Sequence, residues 1–122
     1  MSNVDVTLKS AMEIDGAEAV ALVDYTSGMS LGVLGNGKLD LEIAAAGNTE
    51  VVRAKLRTME LLGLEEAIED ILITLDSQYH LIRMIQGKSG KGLFLYLVLN
   101  KARANLAMAR RNLSSLESDL KL

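Results

Sequence analysis

The sequence predicts an α+β domain in which helices pack on a mainly antiparallel sheet of five strands. Three observations predict it: two separate regions with strand patterns, one long helical pattern between them, and a helical pattern near each end of the chain. The element order is α-ββ-α-βββ-α, and hairpins combined with helices in this way are typical of α+β domains. The 122 residues are expected to form one domain spanning 1–122.

The composition limits the possible functions. Hydrophobic residues make up 49% of the chain and aromatic residues only 3%, so the core is expected to be aliphatic. The absence of Cys excludes disulfides and thiolate metal sites. A net charge of −3 argues against nucleic acid or an anionic membrane as the main partner. The sequence shows neither a secretory signal nor an apolar run near about 20 residues, so we expect no membrane insertion and a cytoplasmic location.

The first third of the chain predicts a short helix and a hairpin. The segment 4–15 carries its apolar residues on one helical face, and Gly16 can cap its C-terminus. The segment 17–24 is apolar on both alternations, which indicates a strand covered on both faces. After turn residues at 25–28, apolar and small residues alternate over 29–33, which predicts the second strand.

The rest of the chain predicts a long helix over 39–62, a second hairpin, a strand over 93–99 and a last helix over 101–119. In the first strand of this hairpin, Ile71, Ile73 and Leu75 form one face. In its second strand, Tyr79, Leu81 and Ile85 line one face. The strand over 93–99 is apolar on both faces, which predicts a central position. The last helix has apolar residues at 3–4 spacing: Ala102, Leu106, Ala109, Leu113 and Leu116.

At about 100° per residue, the helix over 39–62 has two apolar stripes and one polar arc. The inner stripe comprises Leu41, Ala45, Val52, Leu56 and Met59. The outer stripe comprises Ile43, Gly47, Val51, Ala54 and Thr58. The polar arc comprises Glu42, Glu50, Arg53, Arg57 and Glu60. The apolar sector exceeds half of the circumference, whereas a surface helix of a monomer needs only about 100° or somewhat more.

Gly47-Asn48 could end this helix in its middle. Asn48 or Thr49 could cap a new helix, but no Glu or Gln stands three residues later to complete a capping box, and the stripes keep their phase. One continuous helix is therefore favoured, at a cost of about 1 kcal/mol for Gly47. The inner stripe would cover the sheet, and the simplest cover for the outer stripe is the same helix of a second copy. The alternative is a helix buried on two sides within one domain.

Two glycine-rich segments and the only His are candidate chemical sites. "GVLGNGKL" (32–39) matches the phosphate-binding pattern GxxxxGK, but Leu39 stands where Ser or Thr would hold Mg²⁺, so a plain loop is favoured over a nucleotide hydrolase. "GKSGKG" (87–92) predicts a mobile hairpin loop that Lys88 and Lys91 keep solvated. His80 is expected to be a strand residue near a turn. We predict no catalytic, cofactor or metal site.

Three segments resemble the Roadblock/LC7 domain family: "GAEAVALVDYTSGMSLGVLG", "LDLEIAAAGNTEVVRAKLRTMELLG" and "IEDILITLDSQYHLIRMI". The resemblance covers about 4–116 and includes the element order. It implies a profilin-like fold, with the central helix on one face of the sheet and the terminal helices on the other. Members of this family dimerise through the central helix and the strand after it, here about 67–75.

Bacterial members of this family are partners of small Ras-like GTPases, and eukaryotic members are dynein light chains or scaffolds of lysosomal signalling complexes. The resemblance therefore implies a non-enzymatic homodimer that binds a small Ras-like GTPase and regulates its nucleotide cycle or localisation. We expect the outer stripe with Ile71 and Ile73 at the dimer interface, and Glu50, Arg53, Arg57 and Glu60 at the partner surface. The alternative is a ligand-sensing module or a structural scaffold of a signalling or motor complex.

Overall fold

In the computed structural model, which describes residues 2–35, 37–87 and 91–122, the chain forms three helices and five strands. Along the chain these are α1 (Val4–Met12), β1 (Ala17–Asp24), β2 (Met29–Gly35), α2 (Leu41–Leu61), β3 (Asp70–Thr74), β4 (Gln78–Met84), β5 (Leu93–Asn100) and α3 (Leu106–Asp119). The element order and the α+β class agree with the sequence prediction.

The strands form one sheet in the order β2-β1-β5-β4-β3, and all neighbours are antiparallel. The central position predicted for the strand over 93–99 is confirmed, since all seven of these residues in β5 are buried. The two edges of the sheet are β2 and β3.

Alternation along the strands divides the core into two layers. On one face, Val20 and Leu22 pack with residues of α1 and α3 such as Leu8 and Leu113. On the other face, Ala21 and its neighbours pack with Ala45 and Val52 of α2. The arrangement that the family resemblance implied, with the central helix opposite the terminal helices, is therefore confirmed.

Two terminal helices are shorter than the sequence predicts. The first ends at Met12 rather than at residue 15, and Glu13 is its C-cap, whereas Gly16 turns the chain into β1 with a φ of +86°. The last begins at Leu106 rather than at residue 101, because the Asn105 side chain accepts a hydrogen bond from the Met108 N–H and caps the helix there. Ala102, predicted on the apolar face of that helix, is exposed and precedes it.

The central helix is continuous through Gly47, as predicted, but runs over Leu41–Leu61 rather than 39–62. It starts later because the Asp40 carboxylate accepts from the N–H groups of Glu42 and Ile43, at 3.1 Å each. The strand expected over about 67–75 is limited to Asp70–Thr74. Residues 88–90 of the predicted loop lie outside the described residues.

Candidate interaction surface

The outer stripe of α2 lies on the solvent side of the helix, whereas the inner stripe faces the sheet. Ala45, Val52 and Met59 of the inner stripe are buried, and Leu41 and Leu56 are half-buried. In the outer stripe Ile43 is 70% exposed and Val51 38%, and Gly47, Ala54 and Thr58 are also exposed. No described part of the chain buries this stripe, and its cover by the same helix of a second copy stays a prediction.

Leu61 extends this surface and was missed by the sequence analysis. It is 82% exposed and lies about five helical turns after Ile43, so the two side chains project in the same direction. The signal was present in the sequence, because the same wheel places both residues at one angle. Leu62 and Leu64 just beyond the helix are also exposed, at 65% and 46%.

The polar arc lies beside the outer stripe and faces the β1–β2 hairpin. The Arg53 guanidinium donates to the Thr26 carbonyl oxygen at 2.9 Å, and Glu42 accepts from the Ser30 hydroxyl at 2.7 Å. The side chains of Arg57 and Glu60 make no hydrogen bond or ion pair with any residue that the structure describes. Arg53 therefore has a structural contact, whereas Arg57 and Glu60 present their charges to solvent.

The turn that receives Arg53 is held by a local hydrogen-bond pair. The Asp24 carboxylate accepts from the Thr26 hydroxyl at 2.6 Å and from its backbone N–H at 2.8 Å. These bonds, the hydroxyl one first, lower the pKa of Asp24 below its ordinary value. The hairpin thereby fixes the carbonyl to which α2 is tied.

Beside α2, the far end of the same sheet face is only partly covered. α2 packs mainly over β1 and β2. At the other edge, Ile71 and Ile73 of β3 point to the α2 side, opposite Ile82 and His80 of β4, and both isoleucines are half-buried. The predicted interface residues on α2 and β3 therefore border one open region of the molecule.

In the glycine-rich segment 32–38, the described glycines allow close packing in β2 and a turn after it. Gly32 lies within β2 beneath α1, where an added Cβ would be 2.8 Å from Leu8 Cδ1. The N-terminus of α2 is already capped by Asp40, whose carboxylate would repel a phosphate. Residue 36 lies outside the described residues, and the geometry of the others gives no support to a phosphate site.

The described residues offer little for a metal, a membrane or a small ligand. No three His, Asp or Glu side chains converge there to hold a metal ion. No helix of that part of the chain is long and apolar enough to cross a membrane. A cleft of about 350 Å³, with Leu56, Ile68 and Met84 in its lining, opens next to the polar arc. Its volume is at the lower limit of small-ligand sites, about 300–1,000 Å³, so ligand sensing stays a prediction.

Sequence comparison and structure comparison give different results. No family model matches the sequence, and no curated protein matches it. In structure, a Roadblock/LC7 domain from Streptomyces avermitilis superposes with a TM-score of 0.81 at 14% identity, over 97% of this chain and 94% of that one. MglB from Myxococcus xanthus gives 0.75 at 16% identity, over 93% and 85%. The gliding protein MglB from Thermus thermophilus gives 0.68 at 17% identity, over 94% and 88%.

These likenesses define the fold class: an antiparallel five-stranded sheet with one long helix on one face and the terminal helices on the other. The chain has the Roadblock/LC7 fold, which confirms the fold that the sequence resemblance implied.

Proposed function

We propose that this protein is a non-enzymatic regulator of the Roadblock/LC7 type, which forms a homodimer and binds a small Ras-like GTPase. The observation that carries the proposal is the exposed outer stripe with Leu61, on a helix whose other apolar stripe is buried against the sheet. Contiguous exposed apolar surface of this kind marks protein interfaces. The fold shared with MglB and a Roadblock/LC7 domain supports the class of partner.

The surface of α2 suits pairing with a second copy. Its largest exposed apolar side chains, Ile43 and Leu61, lie at the two ends, and small residues lie between them. If two copies cross antiparallel about a dyad near Val52, Ile43 of one meets Leu61 of the other. Gly47 then faces Thr58, and Val51 faces Ala54. Large residues thus meet at both ends, while small residues in the middle let the helices approach closely.

The open region beside α2 completes this interface. A second helix placed along α2 would also cover the half-buried Ile71 and Ile73 on β3. β3 is an edge strand, so its unpaired backbone groups are available to the same strand of the second copy. An isologous pairing uses both features at once.

The polar arc supplies the surface for the GTPase. It lies on the flank of α2 away from β3, so a dimer formed as proposed leaves it accessible. The side chains of Arg57 and Glu60 make no hydrogen bond or ion pair with the described residues, so they can bind a partner without breaking one within the chain. Exposed charges of this kind steer association and select partners.

The test uses the small Ras-like GTPases of the source organism, purified and loaded with GDP or with a GTP analogue. We expect one of them to bind this protein in one nucleotide state more tightly than in the other, and Arg57→Glu to weaken that binding at least about tenfold. The control is Arg111→Glu on α3, an exposed residue on the opposite side of the sheet.

Arg57→Glu should leave the homodimer intact in sedimentation equilibrium. Wild-type binding by Arg57→Glu would contradict the polar arc as the partner surface. Absence of binding to every GTPase in both nucleotide states would contradict the GTPase partner itself and favour a scaffold.

A further inference from the structure

A chain of polar side chains crosses the face of the sheet that carries α2. The Tyr96 hydroxyl on β5 lies 3.0 Å from His80 Nδ1 on β4. His80 Nε2 lies 3.0 Å from Gln78 Oε1, and Gln78 Nε2 donates to Glu18 Oε1 at 3.2 Å. The Tyr96 side chain is only 1% exposed, and its ring packs edge-on against His80 with centroids 5.5 Å apart.

The charge of Glu18 sets the direction of every bond in this chain. An ionised carboxylate only accepts, so Gln78 turns its NH₂ toward Glu18 and its oxygen toward His80. His80 must then carry its proton on Nε2 and accept the Tyr96 O–H at Nδ1. Burial raises the pKa of Tyr96 above its ordinary value, and a hydrogen bond with the side chain of Asn48 on α2 lowers it in part, which corresponds to the Asn48 amide N–H facing the hydroxyl oxygen.

The surroundings of His80 are otherwise apolar. β3 presents Ile73 directly opposite, and β5 presents Val98. Glu18 is linked to His80 only through Gln78, and no ion pair to His80 exists among the described residues. Burial disfavours the charged imidazolium, so the pKa of His80 is below its ordinary value of 6.5.

A proton on Nδ1 is incompatible with this arrangement. Nδ1–H and the Tyr96 O–H would then be two donors facing each other across 3.0 Å. The hydroxyl must turn toward Asn48, and the Asn48 amide must in turn rotate to present its oxygen. Asn48 follows Gly47 of the outer stripe, so the change occurs within the helix proposed to pair. It also places a positive charge beside Ile73, where the second copy would pack.

We propose that protonation of His80 opposes self-association through α2 and β3, so that the homodimer dissociates as the pH falls below neutrality. This inference rests on the proposed homodimer. A second copy packed over Ile73 removes His80 further from water, so the separated chain binds the proton more readily than the dimer does. Within the pH window between the His80 pKa values of the dimer and of the separated chain, the dissociation constant rises up to about tenfold per pH unit for each His80, hence up to about 100-fold for two.

The test is the dissociation constant of the full chain, measured by sedimentation equilibrium from about pH 7.5 to about pH 5.5, above the ordinary range of carboxylates. We expect the wild-type constant to rise at least about tenfold as the pH falls, and that of His80→Gln, whose neutral side chain cannot take the proton, to stay flat. A flat wild-type constant, or the same rise in both proteins, would overturn the inference while leaving the homodimer standing.

A second measurement needs no variant. His80 is the only His in the chain, so its ring C–H signal in proton NMR is unambiguous. Titrated in dilute and in concentrated samples, His80 should show a lower pKa in the concentrated one, as reciprocal linkage requires. Equal pKa values at concentrations that differ in dimer content would overturn the inference. A chain that is monomeric at all concentrations and pH values would overturn the homodimer and this inference together.

Discussion

At the scale of single residues, Gly47 is the position where a lone chain and a dimer favour different side chains. A Cβ added there would meet nothing within 4 Å, so the single chain has room for a larger residue. Glycine inside a helix costs about 1 kcal/mol relative to alanine. A close approach of a second backbone is a physical reason to keep glycine here despite that cost.

The variants Gly47→Ala and Gly47→Leu separate these two effects. Gly47→Ala should raise the unfolding free energy of the dilute chain by up to about 1 kcal/mol, because it improves helix propensity without a clash. Gly47→Leu should fold equally well but raise the dissociation constant of the dimer at least about tenfold, because its side chain holds the two helices apart. Urea denaturation at low concentration measures the first effect, and sedimentation the second. A Gly47→Leu protein that dimerises as tightly as wild type would contradict the pairing.

At the scale of elements, hydrophobic periodicity was the basis for predicting most helices and strands. Helix α2 was predicted through Gly47 because its stripes keep phase on both sides, and β5 was predicted as central because it is apolar on both faces. The predicted end of α1 and the predicted start of α3 were wrong. Such boundaries depend on which polar residue caps the helix, and residues near Asn105 are as polar as Asn105 itself. The polar chain through His80 was not predictable, because it joins three strands whose pairing the sequence does not state.

Helix α3 is fixed by a buried ion pair that sequence spacing does not reveal. Glu117 is 7% exposed, and its carboxylate accepts from Arg83 of β4 at 3.2 Å and from the Gln86 N–H at 3.3 Å. The Arg83 side chain is only 15% exposed. Removing one partner of such a pair leaves the other charge buried without compensation.

Glu117→Ala should therefore lower the unfolding free energy by about 3–5 kcal/mol. The matched control is Asp119→Ala, an exposed carboxylate at the same end of α3, which should change it by at most about 0.5 kcal/mol. Both values come from urea denaturation at pH 7. A loss below about 1 kcal/mol for Glu117→Ala would mean that water reaches Arg83 and replaces the pair.

At the scale of the whole molecule, the two faces of the sheet differ in how completely helices cover them. The face under α1 and α3 is closed, and the two ends of the chain are tied there, since Asn3 bonds the backbone of Asp119 and Lys121. Among the described helices, α2 alone packs on the other face, and β3 beside it is only partly covered. An interface on the second face can change without disturbing the closed one, which is why variants on the outer stripe are expected to fold.

The antiparallel pairing predicts which substitutions compensate each other. Ile43 and Leu61 are exposed in the single chain, at 70% and 82%. Neither Ile43→Glu nor Leu61→Lys should therefore unfold it. Each alone should weaken the homodimer at least about tenfold, because it places two unpaired charges in the interface. Together they should restore much of the affinity, because each glutamate meets the lysine of the other copy at both ends of the helix pair. Sedimentation equilibrium at low salt measures all four proteins. In a parallel pairing like charges would meet instead, and the double variant would dimerise no better than the singles.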